Sequence, residues 1–345
     1  MKSRWLNWRL LSLVMGMALV LSGCGRENLS ALVPKGPVAE QQFFLMGLTS
    51  AIMIGVFIIV MIIFAYVLIR YRRRPGQTGI PKQVEGSHKL EILWTVVPFL
   101  LLIVMAVPTV AIGFDLAKEY SNKEAVQVNV TAHQFWWEFE YPDLGVRTAQ
   151  ELFIPAGKKI QFNVTSADVV HAFWVPALGG KIDTNPGMTN KIWLQADEPG
   201  TYYGKCAELC GASHALMDFK VQALEASAFD AWAKKMKAAT EAPAPVPSAT
   251  ATATANAQQG YDTFKQSCIG CHAIGSEGGK LGPNLTNFGE RLLVAGIKPN
   301  NKEELAAWLK NPQEVKPGNT MPNLNLNDEQ VNALVEYLST LKVTQ

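Results

Sequence analysis

Cys268-Ile269-Gly270-Cys271-His272 sets two thiols and an imidazole close together on the chain. This is the c-type heme attachment sequence. The thiols add to the heme vinyl groups, and the adjacent imidazole reaches the iron. Two other readings use the same residue types. A zinc half-site needs further Cys or His, and none follows His272. A thioredoxin-like redox pair wants a βαβ context, which the surrounding pattern lacks. One methionine, Met321, and no histidine follow His272, so Met321 in Asn319-Thr320-Met321-Pro322 is the soft donor left for the sixth position. Methionine opposite histidine raises the potential, as suits an electron carrier.

A second constellation runs Cys206-Ala207-Glu208-Leu209-Cys210-Gly211-Ala212-Ser213-His214-Ala215-Leu216-Met217. Two thiols, an imidazole and a thioether form a soft donor set that suits copper, and the thioether argues against zinc. His171, in Val170-His171-Ala172-Phe173-Trp174, offers a second imidazole from another loop. Two copper ions bridged by both sulfurs would share charge, so that one electron alters each bond little. On the cysteines alone, a Cys206–Cys210 disulfide in an oxidising compartment is the competing reading.

These residues need elements to hold them. Val126 to Val130 and Ile160 to Val164 alternate with period two, and Pro142-Asp143 and Pro155-Ala156-Gly157 mark turns. The pattern predicts a β-sandwich or barrel over about 120–224, then a helix from Ala226 to Lys237. Ala238 to Ala255 is rich in Ala, Pro, Thr and Ser, and reads as a semi-extended tether. Helical spacing returns at Leu305–Leu309 and at Val331–Leu341, the latter after a cap signal at Asn327-Asp328.

Two runs without charge, Phe43 to Ile69 and Ile92 to Phe114, are each long enough for a helix to cross a hydrocarbon core of about 30 Å. Pro98 and Pro108 are tolerable in such a helix. The short segment between them carries Arg70, Arg72, Arg73, Arg74, Lys82 and Lys89, which places it in the cytoplasm. The spans then form a hairpin, with everything beyond Phe114 outside. Glu91, at the cytoplasmic edge of the second span, is either a functional carboxylate or an acid favoured by the helix dipole.

The N-terminus points the same way. Lys2, Arg4 and Arg9 precede an apolar stretch ending in Leu21-Ser22-Gly23-Cys24, which resembles a bacterial lipobox with lipidation at Cys24. The chain is 48% hydrophobic and 17% charged, with a formal net charge of +2 and no basic face, which excludes a nucleic-acid binder. Five cysteines in 345 residues are too few for a disulfide-stapled scaffold.

The copper-type motif, Gly200-Thr201-Tyr202-Tyr203-Gly204 before it, the run His133-Gln134-Phe135-Trp136-Trp137 and the double span together resemble subunit II of cytochrome c oxidases. The fused heme motif is similar to the caa(3)-type branch of heme–copper oxidases. Gly260 and Phe264 upstream of the heme cysteines, Tyr337 opposite them, and Pro283 resemble class I cytochrome c positions; Pro283 would accept the heme histidine's other proton. The resemblance implies a two-helix transmembrane hairpin, an all-β cupredoxin sandwich and an all-α class I cytochrome c domain. The expected boundaries are a signal peptide at 1–23, the hairpin at 24–115, the cupredoxin domain at 116–237, a linker at 238–255 and the cytochrome domain at 256–345.

It also implies roles. His171, Cys206, Glu208 through its carbonyl, Cys210, His214 and Met217 match the ligands of a dinuclear CuA centre. The Glu208 side chain matches a magnesium ligand at the boundary with subunit I. Glu91 matches the carboxylate at the mouth of a proton path, and Asp168 and Asp183 match acidic positions near the copper and the boundary. Where the mitochondrial-like branch has a tryptophan that receives electrons, this chain has Phe135, so that role is not carried over. The implied function is electron transfer from heme c to CuA and on to heme a of subunit I, where dioxygen is reduced and protons are pumped. The implied partners are subunits I and III, a cytochrome c or a quinol:cytochrome c oxidoreductase upstream, and the bacterial plasma membrane, with both soluble domains extracytoplasmic. Rival readings are a membrane-bound copper chaperone, a copper-free quinol oxidase subunit II, and the copper domain of a nitrous oxide reductase, which lacks the hairpin.

Overall fold

The computed structural model describes residues 8, 11–17, 25–76, 78–80, 83, 85–247 and 255–343. The lipidation reading at Cys24, the cleavage before it, and 248–254 of the tether lie outside the described residues.

Two long helices come first: α1, Pro37–Arg70, and α2, His88–Leu116. Pro37 suits a helix start because its missing N–H would be unsatisfied there anyway. Both helices are apolar on every side, with no face that a soluble core would select. Among the described residues they are the two long and apolar enough to cross a membrane. Gln41 donates to Asp115 at 3.2 Å, tying the start of α1 to the end of α2. The segment before α1 is bound to the β-domain: Lys35 N–H donates to Ala177 O at 2.8 Å, and Asp197 N–H to Lys35 O at 3.1 Å. Val38 is buried in the same core. The helix pair is therefore anchored at one end to the domain that carries the copper-type donors.

That domain is a sandwich of two five-stranded sheets. One holds β1 (Val126–His133), β2 (Trp136–Tyr141), β3 (Val146–Ala149), β5 (Ile160–Ser166) and β8 (Asn190–Leu194). The other holds β4 (Glu151–Pro155), β6 (His171–Trp174), β7 (Ile182–Thr184), β9 (Gly200–Cys206) and β10 (Asp218–Leu224). The alternation in β1 buries Val128, Val130 and Ala132 and leaves Gln127, Asn129 and Thr131 partly exposed. A slip of one residue would invert every side chain, so the apolar face fixes the register. β1 pairs in parallel with β5, and Ile160, Phe162 and Val164 carry the core into the next strand.

Helix α3, Ala226–Glu241, closes one end of the sandwich with Phe229, Trp232, Ala233 and Met236, the spacing of one helical face. It runs past Lys237, because Ala238 and Ala239 are strong helix formers. The next residues are also held. Ala242 O accepts from Ser276 N–H at 2.8 Å, and Ala244 is buried in the core of the C-terminal domain. The start of the segment read as a tether is thus packed. Composition disclosed its low apolar content but not that small residues can lie closely against a neighbouring domain.

The C-terminal domain consists of α4 (Ala255–Ser267), α5 (Lys302–Lys310), α6 (Pro312–Val315) and α7 (Asp328–Ser339), joined by long loops. A capping box at Asn327 and Gln330 starts α7. α4 and α7 cross at Gly260, where a Cβ would lie 2.0 Å from Ala333 O. Phe264 and Tyr337 pack beside that crossing, with ring centroids 6.0 Å apart.

Candidate functional site

The loop from Cys206 to Met217 connects β9 to β10, and its two ends meet: Cys206 N–H donates to Met217 O at 3.2 Å. β6 pairs with β9 at Phe173 and Cys206, which brings His171 over the loop. Six sequence-predicted donors converge there. Sγ of Cys206 lies 3.8 Å from Sγ of Cys210, 3.2 Å from Glu208 O and 3.9 Å from His171 Nδ1. Sγ of Cys210 lies 3.5 Å from His214 Nδ1 and 3.8 Å from Met217 Sδ. Both thiols are free, so the disulfide reading does not describe this structure. The donor atoms of His171, Cys206 and Cys210 all lie within 4.8 Å of one another, close enough to share metal ions.

The surroundings orient this set. His171 is fully buried, and its Nε2 lies 2.7 Å from Asp168 Oδ1. That contact leaves Nδ1 facing the sulfurs. Asp168 in turn accepts from Gln134 N–H and Val169 N–H, each at 2.7 Å. Gln134 Nε2 donates to Cys210 O at 2.5 Å, and Trp137 Nε1 to Met217 O at 3.4 Å. Burial opposes the Cys206 thiolate, but hydrogen bonds with His171, with the backbone at Ala172 and Glu208 and with Cys210 together outweigh it and hold that thiol below its usual range. Burial and the Cys206 charge push Cys210 up to about 12. Two adjacent thiolates are not stable without positive charge between them, and bound metal cations supply it. The donor chemistry therefore fits soft copper.

The second site is a cavity of ≈ 430 Å³ in which Cys268, Cys271, His272 and Met321 all take part. His272 Nδ1 lies 2.8 Å from Pro283 O, the contact expected of a ring whose other nitrogen is committed to iron. Burial lowers the His272 pKa, which favours the neutral ligand form. Met321 is set by its own N–H, which donates to Asn319 Oδ1 at 2.8 Å. Two buried cations border the cavity. Arg291 bonds Asn284 O and Asn287 Oδ1 and keeps a buried Nε without a partner. Lys316, donating to Ala295 O at 2.9 Å, is pushed down to about 8 by burial. A planar macrocycle with carboxylate side chains would fill the apolar space and supply anions to this pair, so the residues fit heme.

The other sequence-predicted positions lie apart. The Glu208 side chain points outward, with Lys181 Nζ 3.9 Å from its carboxylate, and Asp183 is exposed on β7 opposite Ala172. Glu91 stands in the first turn of α2, half-exposed, 3.6 Å from His88 Nδ1. Trp137 is wholly buried against Phe173 and Phe219, and Trp136 stacks on His133 at 4.1 Å. Sequence reasoning missed Gln150, Arg291 and Lys316, and named Gln134 only as part of an aromatic run, without its bonds to Asp168 and Cys210. The first three are each one polar residue without a motif, and only the folded chain gathers them.

Three family models match the chain. The one described as cytochrome c oxidase subunit II, transmembrane domain, covers residues 32–112, and that for the subunit II periplasmic domain covers 145–224. The cytochrome c model covers 257–342. The chain is 49% identical over 336 residues to a cytochrome c oxidase subunit 2 of Alkalihalophilus pseudofirmus, spanning 95% of this chain and 96% of that relative. It is 46% identical over 358 residues to the subunit 2 of Bacillus subtilis, spanning 97% and 98%. A quinol oxidase subunit 2 of Bacillus cereus is 38% identical over 235 residues, spanning 67% of this chain and 80% of that relative. The cytochrome c match implies heme c, and the subunit II match implies copper and association with subunit I in a membrane complex. The chain belongs to the cytochrome c oxidase subunit II family, in a form that carries a cytochrome c domain, and serves electron transfer in an oxidase.

Proposed function

We propose that this chain receives electrons at heme c and delivers them through a dinuclear CuA centre to heme a of subunit I, for reduction of dioxygen to water coupled to proton pumping. Heme and the copper pair supply the one-electron chemistry, and the chain's own residues set where they lie and what surrounds them. Cys268 and Cys271 would tether the heme, His272 and Met321 would offer donors to its iron, and Pro283 would fix the His272 ring. His171, Cys206, Cys210, His214, Met217 and the Glu208 carbonyl would hold the copper. Asp168 keeps the His171 ring turned toward the sulfurs, and the apolar wall of Trp137 and Phe173 limits water and so limits rearrangement.

The single observation that carries this reading is the convergence of five donors from the Cys206–Met217 loop and His171 from β6, in a chain that also gathers Cys268, Cys271, His272 and Met321 around one cavity. The same convergence speaks against the copper-free quinol oxidase reading. A chaperone reading leaves Met217 and the heme cavity unused. The topology we propose is a bacterial plasma-membrane hairpin over 24–115, lipidated at Cys24 after a signal peptide at 1–23, with both soluble domains extracytoplasmic and the sandwich domain extended through α3 to Glu241. At the boundary with subunit I, Glu208 would hold magnesium and Glu91 would admit protons. Subunit III and an upstream cytochrome c or quinol:cytochrome c oxidoreductase complete the assembly.

The test is an electron paramagnetic resonance spectrum of the oxidised, copper-loaded full chain in detergent, beside its optical spectrum. Hyperfine splitting from one unpaired electron shared over two coppers, with a low-spin heme c signal, is expected. Mononuclear or absent copper would withdraw the ligand assignments around Cys206.

A further inference from the structure

The C-terminal domain lies against the sandwich, and side chains of the sandwich end on its main chain. Glu151, at the start of β4, accepts from Leu292 N–H at 2.6 Å. Gln150 Nε2 donates to Ala295 O at 3.3 Å, and Ser213 Oγ to Pro317 O at 2.6 Å. The anchors are shut from water: Ser213 is 1%, Glu151 4% and Gln150 6% exposed. Two glycines with positive φ keep the approach close. A Cβ on Gly296 would lie 2.2 Å from Gln150 Nε2, and one on Gly318 would lie 3.2 Å from Ala212 Cβ.

Surfaces that meet only transiently keep their charges at a wet rim, and charge is depleted from the core of such patches. This seam does the opposite. The Glu151 carboxylate is stripped of water, which raises its pKa, and is supported by one amide N–H and by the charge of buried Arg291. A displaced pose would strand either group buried without its partner, so the seam selects one register. Its position is also specific. Ser213 adjoins His214 in the copper-type loop, and Pro317 lies in the loop that leads to Met321. One hydrogen bond joins the two donor-bearing loops.

We propose that Glu151 and Ser213 are positioning residues that latch the heme-bearing domain onto the sandwich in a single pose, so that electrons cross from a docked state and not from a tether-limited encounter. The proposal rests on the electron-transfer reading above. Each crossing moves one electron from reduced heme iron, which becomes ferric, to the oxidised copper pair, and no atom or proton changes place at the seam.

The test uses the full-length holoprotein in detergent, as wild type, Glu151→Ala/Ser213→Ala and Glu151→Gln/Ser213. Each is made with and without a flexible insert of about 20 Gly and Ser residues within 248–254. Amide hydrogen exchange at Leu292 reads the latch directly. The heme-to-copper rate after a photoreduction pulse reads its consequence. In the wild type, Leu292 should be protected and the insert should leave the rate unchanged. In the double alanine variant, exchange should accelerate at least ~10-fold, and the rate should fall with tether length, roughly as its −3/2 power. Glu151→Gln keeps an acceptor oxygen and should restore most of both. A loss of fold alone would not create a dependence on tether length. A wild-type rate that falls on insertion, or a Leu292 amide that exchanges equally in wild type and double variant, overturns the proposal. Missing heme or copper spectra would count against the electron-transfer reading instead, and Leu292 exchange would still decide the latch.

Discussion

Asp168 shows how much a single carboxylate can do without touching a metal. It holds His171 at 2.7 Å and gathers two backbone N–H groups, so ring direction and loop shape are set together. Partners of this kind typically change metal affinity about 10–100-fold when removed. Asp168→Ala should therefore weaken copper binding in that range, read by competition against a chelator. Unchanged affinity would mean that β6 alone orients His171. Met321 acts on the iron directly. A thioether opposite histidine favours the reduced state, so Met321→Ala should lower the heme potential in a redox titration and open a position for carbon monoxide. An unaltered potential would contradict the assignment.

The elements explain why some of this was legible in the sequence and some was not. Four of the side-chain donors sit in one β9–β10 connection, so Cys206, Cys210, His214 and Met217 read as a motif before any fold is known. The alternation of Val128 and Val130, and the spacing of Val331 to Leu338, likewise state their own faces. Gln150, Glu151 and Ser213 were opaque because an ordinary polar residue in a strand or loop acquires its task only from the domain that lands on it. The packed start of the tether was hidden for the same reason. Gly260 was legible only through the resemblance to class I cytochromes c, and the structure supplies the reason in a close helix crossing. A Cβ there meets the Ala333 carbonyl, which cannot rotate away as a side chain could. Overpacking of this kind costs about 1–3 kcal/mol. Gly260→Ala should lower the unfolding temperature of the heme-bearing domain while leaving the copper signal intact. An unshifted transition would show that α4 and α7 separate freely.

At the scale of the whole molecule, the bond between Gln41 and Asp115 and the strap from Lys35 to Ala177 put the start of α1 and the end of α2 beside the sandwich. The other ends, with Glu91, then lie at the far side of the apolar span. In the isolated chain Glu91 is an acid in the first turn of a helix, half-exposed near His88, and such an acid is worth about 0.3–1 kcal/mol through the helix dipole. A carboxylate held at the edge of the hydrocarbon of an assembled oxidase has a second use, the transfer of protons toward subunit I. The two roles separate under one substitution. Glu91→Gln keeps the size and loses the charge and the proton. It should slow oxygen reduction by the assembled enzyme while both metal spectra stay as they were, because no donor atom lies near it. Turnover at the wild-type rate would leave Glu91 with the helix-dipole role alone. The proton path would then have to begin at another residue.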